Sequence, residues 1–164
     1  FDPESVQECV QKGIGEKVQI HVGGKVDDQH GNPVKIEGVV KNITDGIWED
    51  SEIRHGGYTK YNQGITALVE TSNSGSIILT TLRQPPQSIG QITHIGIDPN
   101  KKQLITTRGV ILPRPAYDPF AAKTLLVNTK GTTTADLKNL IFKNIEREIY
   151  PINNPEFDTK VNNV

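Results

Sequence analysis

Three groups of residues have types and spacings that could do chemistry. Thr132, Thr133 and Thr134 follow Gly131 at the end of an apolar run and precede Ala135-Asp136-Leu137. A strand running into such a turn and then a helix start aims free backbone N–H groups and hydroxyls at one spot, which suits a carboxylate or a phosphate. The alternative is that Thr133 or Thr134 caps a helix containing Leu137 and Leu140, with Asp136 in its first turn. Arg108, Arg114 and Tyr117 form the second group, in Thr107-Arg108-Gly109-Val110-Ile111-Leu112-Pro113-Arg114-Pro115-Ala116-Tyr117. Two guanidinium groups there could fork onto a substrate carboxylate while Tyr117 stacks or donates. Equally, this is a proline-stiffened connection whose arginines pair with surface acids. The third group is His21, His30, His55 and His94. They fall in separate strand, turn, loop and helix settings, without a His-x-x-x-His pair or Cys-x-x-Cys, so no zinc site is expected from them. No Gly-x-Ser-x-Gly occurs, and Ser74-Gly75-Ser76 reads as a hairpin turn.

These residues need elements to position them. Asp2-Pro3-Glu4, then Val6, Cys9 and Val10, then Gly13, gives a cap, a first-turn proline, a one-sided apolar stripe and a terminating glycine, hence a short amphipathic helix. Cys9 lies on its apolar face and is expected to be a buried structural thiol. Lys17 to Val22 alternate strictly, and Val34, Ile36 and Val40 resume the alternation after a polar loop, which predicts a hairpin with His21 facing solvent or a partner domain. Residues 42–64 are the least regular stretch, an aromatic-bearing loop expected to serve function. Ile65 to Thr71 and Ser76 to Leu82 predict a second hairpin. After Pro85-Pro86, Ser88-x-x-Gln91 reads as a capping box opening a helix with Ile89, Ile92 and Ile95 that ends at Gly96. Strands are expected at Leu104 to Thr107 and Thr124 to Asn128, with one or two helical turns over Pro115 to Ala122. The fold class is therefore α+β: a β-rich antiparallel hairpin sheet or small barrel followed by a compact βαβ-like lobe. One domain over 1–152 is expected, in lobes of about 1–84 and 85–152, with 153–164 as a C-terminal tail.

Composition bounds the function. The 164 residues suffice for one core-bearing domain, since a chain of this size buries roughly 70% of its unfolded surface. A net charge of −1 without a block of like charges leaves no electrostatic footprint for nucleic acid or an anionic membrane, so neither is expected as a partner. No apolar run is long enough for a spanning helix, and no signal-peptide arrangement opens the chain. The single cysteine fits a reducing compartment, most simply the cytoplasm. A chain that starts at Phe1 and contains no methionine is expected to be a fragment.

Several blocks in order carry a resemblance. They are Asp2-Pro3-Glu4-Ser5-Val6 through Lys12-Gly13-Ile14-Gly15, Val22-Gly23-Gly24-Lys25, Thr44-Asp45-Gly46, Gly56-Gly57 and Gln63-Gly64-Ile65-Thr66-Ala67. Gly96-Ile97-Asp98-Pro99, Lys130-Gly131-Thr132-Thr133-Thr134 and Ile149-Tyr150-Pro151 complete the set. From about Asp2 to Ile152 the chain resembles the C-terminal domain of the microcystinase C (MlrC-like) zinc metallopeptidases. The resemblance implies a two-domain enzyme whose zinc sits on an N-terminal metallopeptidase domain of the same chain. This domain would then hold no cofactor, be inactive alone, complete the fold and form part of the cleft for a peptide or amide-containing small molecule. Arg108, Arg114, Tyr117, Thr132, Thr133 and Thr134 are the expected substrate-binding residues, with no catalytic and no metal-ligating residue in the chain. In many members of the family the segment matching Arg108 to Tyr117 reads Lys-Ser-x-x-His-Phe-Arg, and Arg108 and Arg114 keep the basic positions. Leu112 and Pro113 replace the His-Phe pair, so no histidine-borne role carries over, and microcystin is not implied as substrate. An independent anion or small-molecule binding module, a structural domain and a homo-oligomer stay open beside this reading.

Overall fold

A computed structural model describes residues 1–52, 54–129 and 143–144. The first helix, α1 (Pro3–Lys12), starts where its sequence says: the Asp2 carboxylate accepts from the Ser5 N–H at 3.2 Å, proline fills the first turn, and Gly13 closes the end by donating to the Cys9 carbonyl. Strands β1 (Lys17–Val22) and β2 (Val34–Thr44) pair antiparallel, as do β5 (Thr66–Thr71) and β6 (Ser76–Thr80), so both expected hairpins are present. β2 also pairs antiparallel with β5, joining the hairpins into one open sheet of order β1-β2-β5-β6. Between β2 and β5, the short strands β3 (Ile47–Glu49) and β4 (Lys60–Asn62) make a separate two-stranded sheet. The stretch expected to be irregular thus contains a hairpin, with a ten-residue excursion over 50–59 between its strands.

Alternation along β5 divides the interior into two layers. Ala67 and Val69 face α1 and join Val6, Cys9, Val18, Ile20, Val40 and Leu79. Leu68 points the other way, into a layer with Ile92, Ile95, Ile97, Ala116 and Tyr117. All four residues from Thr66 to Val69 are buried, which marks β5 as the strand covered on both faces. β2 reaches the same two layers through a bulge between Val40 and Asn42. Before it, Ile36 and Val40 face α1; after it Ile43 does, and Asn42 is turned to the other side, where its amide donates to the Ile95 carbonyl at 3.0 Å.

The second half is less regular than its sequence suggests. Ser88 does accept from the Gly90 N–H, but the Gln91 amide reaches the Gln84 carbonyl instead of closing a capping box, and α2 is a single turn (Gly90–Thr93). Ile92 and Ile95 are buried as the spacing requires. Strands expected at Leu104 to Thr107 and Thr124 to Asn128 are not formed, and Leu125, Leu126 and Val127 are each more than two-thirds exposed, at 67%, 68% and 77%. Apolar composition made these segments look like strands; no neighbouring strand among the described residues completes a ladder for them. The helical turns after Pro113 are present as α3 (Arg114–Tyr117) and a 3₁₀ turn over Asp118–Phe120. The α+β class holds. Phe1–Leu125 form one compact unit and Leu126–Val164 a second. No helix among the described residues is long and apolar enough to cross a membrane.

Candidate functional site

The segment from Arg108 to Tyr117 forms an exposed turn laid over a buried foot. Gly109 takes φ of 103° and the Arg114 N–H donates to the Ile111 carbonyl at 3.1 Å, so the chain reverses just before α3. Arg108 and Arg114 are both exposed. Arg114 Nε donates to Asp118 one helical turn on, at 2.9 Å, in an exposed pair. Hydrogen bonds from Thr124 and Arg114 hold the Asp118 carboxyl below the usual carboxylate range. Tyr117 lies underneath: its ring is in the second layer and its hydroxyl donates to Gln91 Oε1 at 3.2 Å. Burial pushes this phenol up to about 12, against a hydrogen bond with Thr107 that pulls the other way. It is a neutral anchor that fixes α3 to the body of the domain. Leu112 is half-buried and Pro113 buried. Thr132, Thr133 and Thr134 lie outside the described residues.

A second constellation went unread in the sequence. Trp48 on β3 stacks on Tyr61 of β4 with ring centroids 5.2 Å apart and on His94 after α2 at 4.8 Å. Its indole N–H donates to Ser88 Oγ, and the Ser88 hydroxyl donates in turn to Asp50 Oδ2. Arg54 completes the chain with a 2.6 Å bond to the same oxygen. Burial alone would raise the Asp50 carboxyl. The Ser88 hydroxyl, the Glu52 N–H and the Arg54 guanidinium outweigh it and hold Asp50 below its ordinary value. Gly90 is required beneath the indole, because a Cβ there would run into Trp48 Cδ1 and Nε1. Asp50 and Arg54 are neighbours in sequence, but Ser88 and His94 reach the cluster across 38 residues and more. The readable signal was one isolated tryptophan in a long polar stretch.

The remaining candidates are dispersed. His21 projects from the exposed side of β1, and His30 bonds Asp27 in an exposed loop. Cys9 is buried under α1, where burial first, and then Glu8 and Asp2, push its thiol up to about 11, the wrong direction for a nucleophile. Among the described residues no group of three or more His, Cys, Asp or Glu is placed to hold a metal ion.

With this geometry in view, the comparisons are informative. Residues 1–144 match a family described as MlrC C-terminus. The fold matches the crystal structure of a protein titled "Putative metallopeptidase" from Mesorhizobium sp. BNC1, with a TM-score of 0.75 at 21% identity. The match takes in 92% of this chain and 29% of that one, so the chain spans under a third of the solved protein's length. Comparison with curated proteins gives no match.

Proposed function

The chain belongs to the MlrC C-terminus family, and from that premise we propose that it serves as the C-terminal domain of a zinc-dependent peptidase or amidohydrolase. The observation that carries this reading is the match over residues 1–144, supported by a fold shared with less than a third of a protein titled as a metallopeptidase. In the reading, zinc is held by the N-terminal metallopeptidase domain of the same chain, where it supplies Lewis-acid activation of a carbonyl and of water. The described residues do not fit the metal, for want of a ligand cluster, and no step is routed through them.

The domain's own contribution is positioning. Arg108 and Arg114 stand exposed on a turn whose foot, Tyr117, is locked into the interior. Cations on a fixed support suit a carboxylate of a peptide or amide-containing small molecule. Thr132, Thr133 and Thr134 are proposed as further anion contacts from their sequence alone. The reducing cytoplasm is the expected compartment, on the single cysteine.

Two measurements test this. Elemental analysis of the isolated 164-residue chain is expected to find no stoichiometric zinc, and one tightly held equivalent would overturn the division of labour. In the full-length enzyme, Arg108→Gln and Arg114→Gln are expected to raise KM for carboxylate-bearing substrates with kcat largely kept. Unchanged kinetics in both variants would reduce the domain to a scaffold.

A further inference from the structure

His94 has a fixed tautomer. Its Nδ1 lies 2.7 Å from the Gly90 carbonyl, which can only accept, so Nδ1 carries a hydrogen and the neutral ring presents a lone pair at Nε2. That lone pair meets Gln63 Nε2 at 3.4 Å. Gln63 is fully buried, its backbone N–H donates to the Gly46 carbonyl and its carbonyl accepts from the Leu82 N–H. The amide oxygen, Gln63 Oε1, is the buried side-chain atom left without a partner among the described residues. An unpaired buried acceptor is costly, and native interiors contain few.

The half-exposed imidazole can take a proton from solvent at Nε2. It then presents N–H where the Gln63 NH₂ already points, and two donors face each other. Turning the amide half a revolution places Oε1 opposite Nε2–H in a charge-assisted bond, while the NH₂ moves to the place the oxygen leaves. The indole face of Trp48, 4.8 Å away, favours the cation. We propose that His94 and Gln63 form a proton-driven switch at the joint between α2 and the β3–β4 hairpin, in which the imidazole's charge and the amide's orientation change together.

The groups facing the ring are the Gly90 carbonyl from its own helix, the Trp48 indole from β3 and the Gln63 amide following β4. Tyr61 lies on the indole. The charged pair tied to this cluster, Asp50 and Arg54, reaches the ring only through Ser88 and Trp48 and is internally compensated.

Trp48 is the only tryptophan in the chain and reports the event directly. Acidification of the full chain from pH 8 to 5 is expected to quench its emission in a single step that His94→Gln abolishes. Gln63→Glu, which offers a carboxylate to the imidazolium, is expected to raise the midpoint by roughly one pH unit or more. Gln63→Leu is expected to lower it. Coincident midpoints in all three proteins would overturn the coupling. Should a Gln63 variant fail to fold by circular dichroism, ¹⁵N NMR of the wild-type chain decides alone. The Gln63 side-chain NH₂ resonances must move with the His94 midpoint, and NH₂ signals indifferent to the titration, or a neutral ring protonated at Nε2, would sink the proposal.

Discussion

The two faces of the four-stranded sheet are covered by opposite strategies. On one, a regular helix lays Val6 and Cys9 across a continuous apolar floor, and its single polar anchor is concentrated at Asp2, which bonds Ser5, Gly23 and Lys25 at once. On the other, one-turn helices and loops cover the β5–β6 half, pinned by dispersed polar bonds from Asn42, Ser88 and Gln91. Among the described residues nothing covers the β1–β2 half of that face, which carries Gln19, Lys35, Glu37 and Lys41 exposed. Cohesion on the first face comes from area and shape; on the second it depends on directional bonds between residues far apart in sequence. Directional bonds fail one at a time, so the second face is the natural place for local rearrangement.

The strongest challenge to this contrast removes equal bulk from each layer. Ile20→Ala and Ile95→Ala each empty a buried site, and each is expected to cost about 2–5 kcal/mol in urea melts. The contrast lies in amide exchange, which Ile20→Ala should accelerate across the sheet and Ile95→Ala mainly around α2. Identical exchange patterns would erase it. Next in size, Gly90→Ala drives a methyl into the indole and is expected to cost about 1–3 kcal/mol, with a shifted Trp48 emission maximum. A native emission spectrum would show that the second face yields more easily than its packing implies.

Asp2→Asn sharpens the first face. Burial would raise the Asp2 carboxyl, but Lys25, the Ser5 and Gly23 N–H groups and the Ser5 hydroxyl win and hold it below its ordinary value. A carboxyl depressed in the folded state contributes stability that is complete above the unfolded value of about 3.9 and is lost as pH falls through the lower folded value. Asp2→Asn is therefore expected to cost about 1–2 kcal/mol near neutrality and to flatten the acid limb of the stability curve. An unchanged limb would point to Asp50, depressed in the same direction, as the main source of acid sensitivity. The smallest effect belongs to the exposed β1–β2 surface, where Lys41→Ala breaks an exposed pair with Glu70. No measurable change in the urea midpoint is expected, and a clear loss would mean that this half of the face is covered in solution.

Periodicity made the first face legible. The helix boundaries followed from Asp2, Pro3 and Gly13, and the alternation of Lys17 to Val22 gave β1 in full. β3 and β4 escaped because three residues are fewer than two periods of alternation. Leu104 to Thr107 misled because strand-like composition says nothing about a partner. Of the candidate site, Arg108 and Arg114 could be picked out by type, and the Arg114–Asp118 pairing by its helical spacing. The Trp48–His94–Gln63 cluster could not: it joins segments 31 and more residues apart, and no local pattern encodes that closure.

The bulge in β2 is one residue of arithmetic with a consequence for descent. Lys41 is the odd count that lets Val40 and Ile43 share a face while Asn42 takes the opposite one. Were Lys41 instead to enter the ladder opposite Leu68, strict alternation would turn the Asn42 amide toward the α1 layer and Ile43 away from it. A single-codon deletion at Lys41 would straighten β2 and leave Val40, Asn42 and Ile43 opposite the partners they already have; one residue lost or gained within the regular ladder beside it would exchange the inside and outside of half a strand. The bulge is thus the one point of β2 where length can drop by a residue without turning the strand over, and the ladder around it is where length is inherited as strictly as any side chain.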